Sequence, residues 1–422
     1  MRPGRRLLTC ALLASEAAFP GRVPAQELEL QGFGQVNYAA RVTASDCAVG
    51  TACDFPLGEE RLQLRLDGFS AEGTAGFSSK VDLYHDAVEA RAGVDLRETY
   101  VDLTSDHFTL RAGRQIITWG VGDLLFVNDV FPKDWVAFFT GRPLEYLKIG
   151  SDALSAGIHP GFLDAEIVLV PFFQPDHYPT GERLILPDPF AAGVPRRVDS
   201  PHRSLENVEV SAKVSRYVSD WEIAAYASRT FYRVPAMQLQ DSATPMEVRL
   251  FFPRLNTFGA SATGSLSGGV LSLETAYYDS PEDRGGEEPD IPNSEFRSLI
   301  GYSHPLWPDA TLGLQGFAEW MQDHDAYIAG LAPGYPGRDE IRTTVTLRFT
   351  QRLLYQTLTC NVFVFWGISE RDAYLIPSVR YAFTDALWGE VGGNVFLAPD
   401  EHTMFGRFSR NDNVYLTLRY SF

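Results

Sequence analysis

The chain has 422 residues, with 36 Lys and Arg against 54 Asp and Glu and a formal net charge of −18. No run of eighteen apolar residues follows the N-terminus, which excludes membrane-spanning helices. An acidic chain without a basic patch to neutralise phosphates excludes nucleic acid as a partner.

The N-terminus reads as an export signal. Arg2, Arg5 and Arg6 precede the apolar stretch Leu7 to Ala18, and Val23-Pro24-Ala25 is a small-residue cleavage site before Gln26. Residues 1–25 are expected to be removed, leaving 26–422 as one domain. Leu7-Leu8-Thr9-Cys10 has the outline of a lipid-attachment box, but it follows the arginines too closely to leave an apolar core. Cys47 and Cys53 bracket a short polar loop and are expected to form a disulfide, two free thiols being the alternative. Cys360 stands alone in an apolar segment.

From Glu27 onward, apolar and polar residues alternate between turn residues, which predicts about eighteen strands, with sixteen as the alternative. They fall near 28–40, 60–70, 74–84, 94–104, 107–117, 144–158, 163–172, 205–217 and 220–231. The second half adds 255–265, 268–279, 295–304, 309–320, 340–350, 355–367, 373–383, 387–397 and 413–422. Connections after even-numbered strands are mostly short, and those after odd-numbered strands mostly long and polar, as at 41–59, 118–143, 173–204 and 398–412. This sorting predicts an all-β fold, a transmembrane antiparallel up-and-down barrel with short periplasmic turns and long extracellular loops. Closure follows, because only a sheet without edges satisfies its backbone in hydrocarbon.

Alternation also assigns faces. Leu62, Leu64 and Leu66 are expected outward with Arg61, Gln63, Arg65 and Asp67 inward; Thr343, Val345, Leu347 and Phe349 are expected outward with Arg342 and Arg348 inward. The inward set mixes both signs, a lining suited to water and small hydrophilic solutes. In the stretch Arg111 to Trp135, Gly113 interrupts the pattern, and a bulge there would turn Arg114 inward beside Arg111. The following loop, 118–143, is apolar for its position. Folded inside the barrel it would narrow the pore and bring Asp123, Asp129 and Asp134 to face Arg111 and Arg114; Arg61 and Arg65 complete the expected pore-lining set.

The final ten residues alternate strictly and stop on an aromatic, with Leu418, Tyr420 and Phe422 on the apolar face. That ending resembles the closing strand of Gram-negative outer-membrane barrels, whose assembly machinery recognises a C-terminal strand ending in Phe. The phrases Gly113 to Gly120 (G-R-Q-x-x-x-W-G) and Phe131 to Trp135 (F-P-x-D-W) look like a porin-like family of unsettled substrate, with a distant likeness to alginate-export barrels. The resemblance implies an outer-membrane location, lipid and lipopolysaccharide as surroundings, and a third loop folded inward as a constriction. It is also compatible with a homo-oligomer.

No catalytic motif, phosphate-binding loop or metal-ligand spacing appears, so neither catalysis nor a cofactor is expected. The expectation is a passive channel for small hydrophilic solutes. Its rivals are an export conduit for an anionic polysaccharide, guided by inward arginines, and a loop-plugged barrel scaffolding a partner.

Overall fold

The computed structural model describes residues 25–43, 54–179, 181, 183–187, 194–239, 247–331 and 337–422. The expected export signal up to residue 24 and the expected Cys47–Cys53 disulfide lie outside the described residues. The strands begin with β1 (Ala25–Arg41), β2 (Leu57–Ser70), β3 (Ala75–Asp86), β4 (Arg91–Thr104), β5 (Phe108–Gln115), β6 (Ser151–Ile158) and β7 (Asp164–Val170). There follow β8 (Arg196–Asp199), β9 (Glu209–Val218), β10 (Trp221–Phe231), β11 (Ala236–Leu239), β12 (Val248–Phe251), β13 (Arg254–Leu266) and β14 (Gly269–Asp279). The last are β15 (Glu295–Trp307), β16 (Ala310–Met321), β17 (Ile341–Leu353), β18 (Leu358–Gly367), β19 (Asp372–Ala382), β20 (Leu387–Leu397) and β21 (Asn413–Ser421).

Eighteen of these make one sheet, each strand antiparallel to the next. The sheet closes where β21 meets β1, from Phe33 opposite Ser421 to Arg41 opposite Asn413. β8, β11 and β12 stand apart as a three-stranded sheet in the connections 171–208 and 232–253, where no strand was expected. Turn chemistry explains the tight lower ends. Between β13 and β14, Ser267 and Gly268 both have positive φ (48° and 80°), the pattern whose twist matches a hairpin.

The wall has two faces of opposite character. Outside, Leu62, Leu64, Leu66, Leu416, Leu418 and Tyr420 are all exposed, as are apolar residues on every other barrel strand from β3 to β20. A continuous apolar surface of this kind would drive association in water, and it matches the solvent in a bilayer. Inside, Arg61, Asp82, Glu209, Glu274 and Glu319 are buried. Every predicted barrel strand exists. Two begin later than expected, each after a short 3-10 helix: residues 205–207 before β9, and Leu144–Tyr146 before β6, where Tyr146 and Leu147 are buried inside the barrel.

This two-faced wall predicts a sharp asymmetry between neighbours. Leu64→Arg places a charge against lipid and is expected to destabilise the folded barrel by about 2–4 kcal/mol in liposomes, whereas the inward Gln63→Arg is expected to cost far less. Urea unfolding of both variants measures the difference.

Candidate functional site: the third loop inside the barrel

After β5 the chain leaves the wall and turns into the lumen. Trp119 packs edge-on against Phe131 (ring centroids 5.1 Å apart) and beside Tyr226 of β10. The loop then crosses to the far wall, where one carboxylate holds it. Glu274 of β14 accepts hydrogen bonds from the backbone N–H of Val121 (3.0 Å), Gly122 (3.1 Å) and Asn128 (2.9 Å), and from Asn128 Nδ2 (2.9 Å). Gly120, with φ of 82°, lies so close to this carboxylate that a Cβ would collide with Glu274 Oε1. The tip is latched again on β16 and β17. The Asp123 N–H donates to Gln315 Oε1 (2.8 Å), and Arg348 Nη2 donates to the Asp123 carboxylate (2.7 Å).

A short helix, α1 (Trp135–Thr140), follows, capped by Asp134, which accepts from the Ala137 N–H (3.1 Å). Its Phe138 and Phe139 join Phe365, Tyr374 and Phe396 of β18 to β20 in one aromatic cluster. Phe405 and Phe408 of the connection 398–412, and Leu184 of the connection after β7, complete it. The Gly141 carbonyl accepts from Asn37 of β1 (3.1 Å). Arg142 then bridges Asp134 (3.0 Å) and Glu59 of β2 (2.9 Å). Arg61 continues the chain of charge from Glu59 (2.9 Å) to Asp82 (2.6 Å), and Tyr146 lies between the guanidinium groups of Arg61 and Arg97. The loop thus touches the inner wall on β14, β16 to β20, β1 and β2.

The structure distributes the expected site residues differently from the sequence reading. Arg61 belongs to the buried network just described. Arg65 pairs with Asp67 (2.7 Å). Arg111 faces inward over the Tyr100 ring at 4.1 Å, and with Asp102, Gln115, Glu166 and Lys213 lines a polar recess of about 380 Å³. Arg114 is a correction: it lies on the outer face, opposite Thr99 and Asp152, with Asp152 as its partner at 3.3 Å. The expected bulge at Gly113 is absent. Gly113 does adopt a positive φ (128°), but the register slip is one strand away, where Lys80 opposes Glu98 and Val81 opposes Leu96. The extra residue there, Arg97, points inward and donates to the carbonyls of Glu145 (3.0 Å) and Lys148 (3.1 Å).

The three aspartates also find other partners than Arg111 and Arg114. Asp123 takes Arg348, Asp129 takes Lys133 (3.0 Å) and Lys148, and Asp134 takes Arg142 and His177 (3.3 Å). Glu274, Arg97, Arg142 and Glu59 carry the loop and were not singled out by sequence. Inward alternation marks Glu274, but its four donors come from a segment about 150 positions away, which spacing cannot show.

Asp134 titrates below the ordinary aspartate range. Burial alone would raise it, and is outweighed by the hydrogen bond to His177, the charge of Arg142 and the Ala137 N–H. A carboxyl whose folded pKa is depressed adds stability above its unfolded value, and that stability disappears as pH falls through the folded one.

No family model matches the chain, and no curated protein sequence matches it. Solved structures do. Pseudomonas aeruginosa OccD3 (OpdP) is 11% identical, with 94% of this chain and 92% of that chain covered and a TM-score of 0.56. OccK3 (OpdO) of the same bacterium is 11% identical, with 94% and 96% covered and a TM-score of 0.54. A mutant Rh. blastica porin is 16% identical, with 94% and 100% covered and a TM-score of 0.44. The fold is that of an outer-membrane porin-like barrel. At 11% identity the likeness to OccD3 and OccK3 is one of architecture, and it agrees with the eighteen strands and the apolar outer wall.

Glu274→Ala leaves several N–H donors without an acceptor, each worth about 1–3 kcal/mol when buried. Limited proteolysis of the folded protein is expected to cut within 116–150 at least about ten-fold faster in this variant. Acidification below about pH 4 is expected to raise the same cleavage in the parent protein, and Asp134→Asn to remove that pH dependence.

Proposed function

We propose that this chain is a porin-like channel of the Gram-negative outer membrane, with residues 1–25 as its export signal and 26–422 as the barrel. Small hydrophilic solutes would cross it by passive diffusion. The third loop, 118–143, would be its constriction, with Asp123 and Arg348 as the charged pair that a solute meets at the loop's tip. The observation that carries this reading is the loop's path across the lumen, pinned by Glu274 on one side and by Glu59 and Asn37 on the other. Below the loop the wall is polar, with Arg111, Lys213, Gln315, Thr346 and Thr350 lining recesses open to solvent. Leu418, Tyr420 and Phe422 stand outward on the closing strand, where assembly machinery and lipid would meet them.

An export conduit for an anionic polysaccharide would need an uncompensated arginine track. Here most inward arginines are paired, Arg61 with Asp82, Arg297 with Glu295, Arg342 with Glu319 and Arg380 with Glu390, while Arg111 lies over the Tyr100 ring and Arg97 binds backbone carbonyls. A sealed barrel is the second reading, favoured by the aromatic cluster that joins the third loop to residues of the fourth and ninth connections.

Single-channel conductance in a planar bilayer separates these readings. Steady conductance that rises on deletion within 121–135 is expected of a channel narrowed by its loop. Silence in the parent with conductance in the deletion is expected of a sealed barrel, and silence in both contradicts a diffusion channel.

A further inference from the structure

Between the third loop and the inner wall lies a cavity of about 310 Å³ whose character differs from the rest of the lumen. Phe126 and Trp135 of the loop and Phe317 of the wall line it, as do Tyr178 and the pair Phe138 and Phe365, which meet edge-on with ring centroids 5.5 Å apart. Its volume is at the small end of ligand sites, enough for a molecule of one or two rings. Aromatic walls favour flat apolar solutes through burial and edge or face contacts.

The charged groups on its border define what else it accepts. Lys133 is paired with Asp129 (3.0 Å), Arg233 with Glu209 (2.6 Å), and Arg297 with Glu295 (2.5 Å). Arg342 Nε donates to Glu319 (2.7 Å), and Asp176 accepts from Trp135 Nε1 (2.7 Å) and the Lys133 N–H (2.8 Å). An anion entering the cavity would meet Asp129, Asp176 and Glu319 and find every cation already matched. A cation would meet Asp129 and Glu319 already paired, and Asp176 already taken by two N–H donors. An anion would lose its hydration without gaining a free counter-charge, and a cation would have only the occupied Asp176 carboxylate to turn to. A hydroxyl is different, since it can donate to Glu319 and accept from Arg342 at the same edge.

We infer that this cavity is a binding site for a neutral amphiphile carrying one or two aromatic rings and a hydroxyl. The site exists whether or not the lumen conducts ions, so it goes beyond the channel reading.

Isothermal titration of the full-length barrel in detergent, with naphthalen-2-ol as the probe, tests it. Naphthalene-2-carboxylate and naphthalen-2-ylmethylammonium serve as charged counterparts of the same size. The alcohol is expected to bind saturably and at least about ten-fold more tightly than either ion. Thr344→Phe on the wall and Val234→Phe in the connection after β10 each put bulk into the cavity and are expected to weaken alcohol binding by about ten-fold or more. Retention of the folded electrophoretic mobility in unheated samples qualifies a variant for the comparison, and either variant alone suffices. Absence of saturable binding, equal binding of an ion, or undiminished binding in a folded variant would overturn the assignment.

Discussion

In hydrocarbon an unpaired backbone amide or carbonyl costs several kcal/mol, so everything about this barrel depends on the seam where its first and last strands meet. β21 pairs with β1 over nine residues, and the terminal Phe422 exchanges both backbone hydrogen bonds with Gly32. Gly32 is small for a reason: the Phe422 ring lies over it, where a Cβ would come within 2.7 Å of the ring. Closure fixes the register of every other strand, and the register sends Leu64 to lipid and Arg65 to the lumen. The lumen can then hold charge, because no lumen-facing residue has to satisfy a bilayer.

The third loop shows what that protected interior permits. Its aromatic residues pack against Phe365, Tyr374 and Phe396 as in the core of a soluble domain, while Glu59, Arg61, Asp82 and Arg142 form a buried chain of alternating charge beside them. Such a chain is held together by mutual compensation, and removing one member strands the rest. The same compensation governs the lining as a whole. Inward arginines that look like a cationic track in sequence, such as Arg61, Arg297, Arg342 and Arg380, are in the fold halves of ion pairs.

The barrel was legible because its signal is local. Period-two alternation located all eighteen strands, and the sorting of long and short connections gave the topology before any contact was known. Faces followed for the same reason at Leu62 to Asp67 and at Arg342 to Phe349. The site was legible only in part. The apolar composition of 118–143 correctly marked a segment that leaves the water, but which wall residue receives it is a matter of tertiary geometry. Gly113 was read as the place where alternation slips, whereas the slip belongs to Arg97 on the neighbouring strand, and Arg114 stays outside. A one-residue slip can be absorbed on either side of a pairing, and sequence does not say which. The stretch 144–150 misled for a related reason: Tyr146 and Leu147 are apolar because they are buried on the loop, not because they line a wall.

The anchoring of the loop by Glu274 has a temporal side. The carboxylate lies 146 to 153 positions beyond the amides it binds, on a strand far along the chain from the loop. Contacts so distant in the chain form late, because the intervening wall must be closed first. Glu274 can take those amides only when β14 stands in the wall, so the loop's final seat requires that strand's pairing. The lumen of the nascent barrel is thus the compartment that keeps this apolar segment from other chains, and a break in the wall would release it to them.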